Sequence, residues 1–335
     1  MSKITGDIGE FEFIETLKSN SICRPEGIIL GIGDDAAILE QQPGQHAVIS
    51  TDMLVEHVHF IFKSDIAYYL GRKSIAVNLS DMAAMGAVPR EVFISLAKPE
   101  HVDISDLQEV YRGMRDMAHA YNVNILGGDT TSSRHDLVLN VTICGITEPD
   151  TIITREGASP GDIILTTDYL GDARGGLKVL LDNKVTRDEI EEYLRLKHIN
   201  PEPKVAEGRF FAQSGLVTAM LDLSDGLSSD VRHLAKYCDC GAVIWEDALP
   251  LSPQLQTFAI REGLNPAELA LSGGDDYTLL LTCKPQNKDR LMLEFAGRFG
   301  RPLYAIGEMA ATKGFYLRAG SKVIGLDATG WDHFR

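Results

Sequence analysis

Five times along this chain an apolar, strand-like run delivers a short acidic segment rich in glycine or hydroxyl residues. Residues 27–39 carry Gly33-Asp34-Asp35, and the run 46–55 carries Ser50-Thr51-Asp52. Residues 123–126 lead into Gly127-Gly128-Asp129-Thr130-Thr131, and 217–221 into Asp222-Leu223-Ser224-Asp225-Gly226. Residues 269–277 hold Gly273-Gly274-Asp275-Asp276 before a further strand. Strand ends in one common sheet point the same way, so the expectation is several carboxylates converging at one edge. Such carboxylates repel and raise one another's pKa unless a cation neutralises them. A single Gly-Asp marks an ordinary turn, and Gly33-Asp34-Asp35 alone also reads as a hairpin signal. Five, each hung on an apolar strand, point to a metal–phosphate site.

A sixth carboxylate arrives on a helix. Residues 66–89 place Leu70, Ser74, Val77, Asp81 and Met85 at helical spacing on one face, and Gly86 and Pro89 close the element. Asp81 lies among Ala76, Val77, Leu79, Met82, Ala83 and Ala84, a stripe expected to be buried. An ionised carboxylate there costs several kcal/mol unless a cation or donors meet it. Taken alone, Asp81 reads equally well as a carboxylate bonded to a backbone amide.

The donor set is of hard oxygens, with Ser50, Thr51, Thr130 and Ser224 beside the carboxylates, which suits magnesium far better than zinc. A net charge of −16 argues against nucleic acid or an anionic membrane surface as partner. It leaves a phosphorylated substrate open, because bound divalent metal inverts the local field. The matching chemistry is phosphoryl transfer, with glycines letting backbone amides approach phosphate oxygens. There is no G-x-x-x-x-G-K-[ST] loop and no kinase H-R-D or D-F-G set, so a nucleotide is held in another way. His57 and His59 form an H-x-H that on a strand puts both imidazoles on one face, as a metal pair or as solvated or substrate-facing groups. Five cysteines without a C-x-x-C pair fit reduced thiols, with Cys238 and Cys240 reading as packing residues. No apolar run reaches membrane-spanning length, the first residues are no signal peptide, and a cytoplasmic setting is expected.

A chain of 335 residues is comfortable as two domains, and Glu148-Pro149-Asp150 is a polar break after a completed strand-helix-strand set. The expectation is an α+β protein of two α/β-type domains, 1–149 and 150–335. Within them, helices are predicted at 8–20, 66–89 and 103–121, with strands at 46–55, 91–96 and 137–146. The second half alternates strands with helices near 172–182, 187–197, 203–214, 227–237, 252–261 and 287–298.

The segments Gly31-Ile-Gly-Asp-Asp-Ala-Ala37, Ser50-Thr-Asp52, Val77 to Ala87, Gly127-Gly-Asp-Thr-Thr131, Asp222-Leu-Ser-Asp-Gly-Leu227, Ser272-Gly-Gly-Asp-Asp-Tyr277 and the ending Gly330-Trp-Asp-His-Phe334 closely resemble the thiamine-monophosphate kinase family. The resemblance runs in order through essentially the whole chain. It implies the fold of the aminoimidazole-ribonucleotide synthetase superfamily: an N-terminal domain that binds metal and ATP and pairs with its twin into a dimer-spanning β-barrel, and a C-terminal α+β domain that completes the active site. It implies ATP and thiamine monophosphate as substrates, several Mg²⁺ ions and a homodimer. Carried over position by position, the metal ligands fall on Asp35, Ser50, Thr51, Asp52, Asp81, Asp129, Asp222 and Asp225, with Asp52, Asp81, Asp129 and Asp222 the catalytic carboxylates. Nucleotide contacts fall on Gly128, Asp129, Arg155 and Ser224, and substrate contacts on His59, Asp275 and Trp331. Arg155 suits a phosphate as a fixed cation, and Trp331 suits a cationic thiazolium ring, although alone it reads as a hydrophobic plug.

Two points depart from or compete with the pattern. Position 275 is Asp where the family carries Glu, one methylene shorter, and His57 competes with His59 as the substrate contact. The alternatives are another ATP-using enzyme of the superfamily, a non-catalytic Mg²⁺/nucleotide-binding regulator, or a metal-dependent phosphatase. Selenophosphate synthetase would need a reactive Cys or selenocysteine and a Lys in an N-terminal glycine-rich loop. The hydrogenase-maturation relative would need a C-terminal cysteine.

Overall fold

The computed structural model describes residues 22–30, 38–39, 43–182, 188–236 and 238–330. The expected helix at 8–20, Asp34 and Asp35, and Trp331 lie outside the described residues. The chain forms two compact units, Met1–Met82 with Ala87–Pro149, and Ala83–Gly86 with Asp150–Arg335. Each is α+β. No helix of the described residues is long and apolar enough to cross a membrane.

In the first unit β1 (Ile28–Leu30) and β2 (Ile38–Leu39) form an antiparallel pair. β3 (His46–Val55), α1 (Ala67–Ala84), β4 (Val88–Lys98), α2 (Ile104–Ala120), β5 (Asn124–Ser132) and β6 (Val138–Thr147) follow. Their sheet has the order β3-β6-β4-β5, with β4 and β5 parallel and joined through α2. Strand alternation sends Leu54, Leu139, Val141, Ile143, Val92, Ile94 and Ile125 to a buried inner face. The outer face leaves Ile49 and Met53 exposed. α1 lies against the inner face, since a Cβ on Gly145 would meet Met82 Sδ at 2.8 Å. Gly86, at φ +64, closes α1 in the left-handed conformation, with the Ala87 amide returning to the Met82 carbonyl.

The second unit is built from β7 (Ile163–Thr166), α3 (Asp172–Leu181), α4 (Glu189–Ile199), α5 (Val205–Ser214), β8 (Val217–Asp222), α6 (Leu227–Ala235) and β9 (Gly241–Trp245). After these come α7 (Pro253–Glu262), α8 (Pro266–Ser272), β10 (Leu279–Cys283), α9 (Pro285–Phe299), β11 (Tyr304–Ala310), β12 (Phe315–Ala319) and β13 (Lys322–Gly325). The seven strands run β13-β12-β9-β11-β7-β10-β8. Ile164, Leu221 and Leu280 point to one apolar layer with Leu227, Val231 and Leu271. Their neighbours Leu165, Met220, Leu279 and Leu281 point to the other, with Phe211, Leu291 and Phe295. β7, β8 and β10 therefore meet apolar layers on both faces, which explains their largely apolar sequences.

Three expectations are corrected here. The acidic segments do not share one sheet: Asp52 and Asp129 belong to the first sheet, and Asp222 ends β8 in the second. The segment 127–131 is no turn, because β5 continues through it to Ser132, paired with β4 by the β-branched Thr130 and Thr131 as well. Cys238 and Cys240 are disulfide-bonded rather than packed as thiols, since Asp239 at φ +52 folds the chain between them and sets their Cα atoms 5.2 Å apart.

Candidate active site

In the first unit the inner face gathers one cluster. Ser50 and Asp52 alternate onto it from β3, and Asp81 meets them from α1: Ser50 Oγ donates to Asp81 Oδ2 at 2.5 Å. Asp81 is half-buried, while Leu79, Met82 and Ala83 beside it are fully buried. Its partner is thus a hydroxyl from another element rather than a backbone amide of its own helix. Thr51 points to the opposite face, where its hydroxyl lies 2.9 Å from Asn140 Oδ1 and 3.1 Å from Thr142 Oγ1. Asp129, exposed, is in register with Ser95 and shares that outer face. The structure therefore joins Ser50 and Asp81 through their side chains with Asp52 on the same face, and places Thr51 and Asp129 on the other side of the sheet. Gly128 has no room for a side chain, because a Cβ would fall 1.6 Å from the Ile94 carbonyl oxygen.

His57 and His59 do not sit on a strand, which corrects the one-face reading. β3 ends at Val55, and the backbone turns, with the Val58 and His59 amides both donating to the Val55 carbonyl. The Val55 amide donates to His59 Nδ1 at 2.9 Å, so the ring proton of the neutral imidazole is on Nε2. His57, at φ +66, instead turns to Asp136.

In the second unit the segments 222–226 and 272–277 are zipped together. The Asp275 amide donates to the Ser224 carbonyl at 2.8 Å and the Tyr277 amide to the Leu223 carbonyl at 2.9 Å. A Cβ on Gly274 would fall 2.6 Å from the Ser224 oxygen, so this close approach requires glycine. Asp275 and Tyr277 both hold positive φ, +67 and +47, a strained pair in which Tyr277 donates its hydroxyl to Asp275 Oδ1 at 2.9 Å. His198 Nδ1 lies 3.6 Å from the other carboxylate oxygen. Arg155 is exposed in the loop beside β8, where the Met220 amide donates to the Thr154 carbonyl, and it is close enough to His233 to help lower that group's pKa after burial. Trp331 lies outside the described residues, but the residue before it is anchored here: the Gly330 amide donates to Ser229 Oγ, and a Cβ at 330 would strike the Asp225 carbonyl oxygen.

Asp230, which sequence reasoning passed over, completes this second cluster. Its carboxyl accepts from the Asp225 and Gly226 amides at 3.1 and 3.0 Å. Burial, then the charges of Asp225 and Asp222, push its pKa up to about 8. Asp222 and Asp225 thus lie within electrostatic reach of the buried Asp230 carboxyl. Oxygen-only donors of this kind suit a hard divalent cation.

Asp276 leaves the cluster. Its carboxylate accepts from the Gly171 and Ala173 amides, capping the start of α3 from a distant loop. Beside it Asp172 accepts from Ser252 Oγ at 2.5 Å and the Tyr193 hydroxyl at 2.9 Å. Burial raises the pKa of both carboxyls. A carboxyl whose folded pKa exceeds its unfolded value favours the folded state while protonated, so stability is lost as pH rises from about 4 through the raised folded values. The slope per group is at most about 1.4 kcal/mol per pH unit. Asp172→Asn is expected to flatten that decline in a pH series of thermal melts, and an unchanged slope would remove Asp172 from it.

Residues 33–147 match the N-terminal domain model of AIR synthase related proteins, and 159–320 match the C-terminal one. Thiamine-monophosphate kinase of Escherichia coli K12 is 38% identical over 332 residues, covering 97% of this chain and 98% of the relative. The chain belongs to the thiamine-monophosphate kinase family. The crystal structure of thiamine-monophosphate kinase from Stenotrophomonas maltophilia superposes with a TM-score of 0.83 at 32% identity, over 96% of this chain and 98% of that one. A family structure described as AaThiL complexed with AMPPCP and TMP superposes at 0.75 with 28% identity, over 100% of this chain and 99% of that one.

Proposed function

We propose that the chain phosphorylates thiamine monophosphate to thiamine diphosphate at the expense of ATP, by one direct in-line phosphoryl transfer. The observation that carries this reading is full-length similarity to a family structure holding an ATP analogue and TMP. The order of family motifs along the chain supports it too.

Asp52, Asp81 and Asp222 act as catalytic carboxylates and with Asp35, Ser50 and Asp225 offer oxygen ligands for Mg²⁺, while Asp129 and Thr51, on the opposite face of the first sheet, would serve a separate ion. Magnesium, when bound there, neutralises phosphate oxygens as charge moves in the transition state. Ser50 orients Asp81, so the carboxylate keeps one geometry as substrates come and go. Gly128, Asp129, Arg155 and Ser224 serve the nucleotide. His59 presents its Nε2 proton to the substrate, and Asp275 is set by Tyr277 and its strained backbone. Trp331 follows the anchored Gly330 and supplies a flat face for the thiamine ring. The attacking group is a phosphate oxygen of thiamine monophosphate, already ionised near neutral pH, so no strong general base is required.

Residues 1–149 serve metal and ATP binding and dimerisation, and 150–335 supply the remaining site residues. The exposed Ile49 and Met53 on the outer face of the first sheet suit cover by a second copy, in a homodimer with a β-barrel across its axis. The reaction is placed in the cytoplasm, where ATP is available.

Purified protein with ATP and Mg²⁺ is expected to form thiamine diphosphate from thiamine monophosphate and not from thiamine. Diphosphate made from free thiamine would point instead to pyrophosphoryl transfer. With a chiral γ-phosphate the product is expected to show inversion, and retention would require a phosphoenzyme.

A further inference from the structure

Glu56, His57 and Asp136 converge where β3 leaves the first sheet, with His101 set against Glu56, and the phosphoryl transfer proposed above assigns none of them a role. Glu56 directly follows β3 and is buried, its side chain only 4% exposed. Glu56 Oε2 accepts from the Leu137 amide at 2.8 Å, which fixes the carboxylate, and Oε1 lies 3.2 Å from His101 Nε2. Next along the chain, His57 Nδ1 lies 3.0 Å from Asp136 Oδ1. The ligand atoms of Glu56, His57 and Asp136 all fall within 4.8 Å of one another.

We propose that Glu56, His57, His101 and Asp136 form a binding site for a divalent transition metal of the zinc, cobalt or nickel class, separate from the magnesium-binding carboxylates. The donor set decides the class: two imidazole nitrogens with two carboxylates suit borderline transition ions, whereas magnesium takes oxygen and water. Bonds of about 2.0–2.1 Å in a tetrahedron set donors about 3.3 Å apart. The pairs at 3.0 and 3.2 Å already match that spacing. The wider separations, those from His101 to His57 and Asp136 above all, close by movement of exposed side chains: His57 at 62%, Asp136 at 42% and His101 at 50%. Two carboxylates balance a dication, and the Leu137 amide behind Glu56 supplies the outer support that orients a ligand.

The backbone is arranged around the same point. His57 at φ +66 occupies a left-handed conformation that is strained for a non-glycine residue. In it the imidazole leaves the alternation of β3 and meets Asp136. A bound ion ties the exit of β3 to the segments carrying His101 and Asp136. It would hold the turn that presents His59, two residues beyond His57.

The test is a Co²⁺ titration of the full-length protein, stripped with chelator and kept in excess Mg²⁺ so that the carboxylate clusters are occupied. The expected result is one Co²⁺ per chain with the d–d absorption of nitrogen-containing tetrahedral coordination, displaced by Zn²⁺. His101→Ala and Asp136→Asn, both at exposed side chains, are expected to weaken binding at least about tenfold. His57→Gly separates binding from folding, because glycine suits the left-handed backbone: it should raise the melting temperature of metal-free protein while weakening Co²⁺ by a similar factor. Absence of the band in the parent protein, or equal binding in parent and all three variants, would overturn the proposal.

Discussion

Asp81→Asn is expected to lower kcat by on the order of 10³-fold while the melting temperature stays within a few degrees of the parent. Asparagine is nearly isosteric, and its carbonyl oxygen can still accept from Ser50 Oγ, so the link between β3 and α1 survives. The negative charge does not survive. A carboxylate that holds a catalytic cation contributes several kcal/mol to transition-state charge stabilisation, and each 1.36 kcal/mol is tenfold in rate. The half-buried position amplifies the effect, because water compensates poorly for a missing charge among buried Leu79, Met82 and Ala83. Steady-state kinetics with thiamine monophosphate at saturating Mg²⁺, beside a thermal melt, makes the measurement. Activity within tenfold of the parent would remove Asp81 from the catalytic set. A collapse of the melt would show it to be a structural carboxylate instead.

Gly113→Ala is expected to destabilise the first unit by about 3 kcal/mol, the upper part of the range for overpacking a tight contact. For a unit of this size that corresponds to a fall of roughly 10 °C in melting temperature. α1 and α2 touch backbone to backbone at two glycines. A Cβ on Gly113 would lie 1.9 Å from the Tyr68 carbonyl oxygen, and one on Gly71 would lie 1.7 Å from the Val110 carbonyl oxygen. The obstacle is backbone rather than the end of a flexible side chain, so the helices themselves must separate. Separation loosens Ile75, Leu79, Leu107, Val110 and Met114, all at most 2% exposed. Helix propensity works the other way, favouring alanine by about 1 kcal/mol, and is too small to win. Calorimetry of Gly113→Ala and Gly71→Ala tests the argument, and a shift under about 2 °C in both would mean that the helices have slack.

Much of the architecture was legible because it is local. The unbroken run 46–55 is β3 residue for residue, and the expected helix 103–121 is α2 with one residue trimmed at each end. Asp81 stood out because a carboxylate in a small apolar stripe needs a partner, and the burial of its neighbours bears that out. What the residue pattern does not show is non-local. Asp129 was expected in a turn because Gly-Gly-Asp reads so, but pairing with β4 keeps the segment extended. Asp276 looked like another ligand carboxylate until the fold placed it under the first amides of α3, 105 and 103 residues away in sequence. The H-x-H pair lost its common face because β3 stops two residues too early.

Sequence by itself determined the chemistry: oxygen donors in acidic, glycine-bearing segments, no phosphate-binding lysine loop, and motifs in the order of the thiamine-monophosphate kinase family. Tertiary structure alone decided which carboxylates meet. Asp230 meets the Asp225 and Gly226 amides locally at the start of α6, whereas Ser50 reaches Asp81, 31 residues away, only because β3 packs under α1. Glu56, His57, His101 and Asp136 are likewise gathered from three separate loops. Residue type and spacing encode what a side chain can do within a few residues, whereas convergence depends on register and packing between elements far apart in the chain.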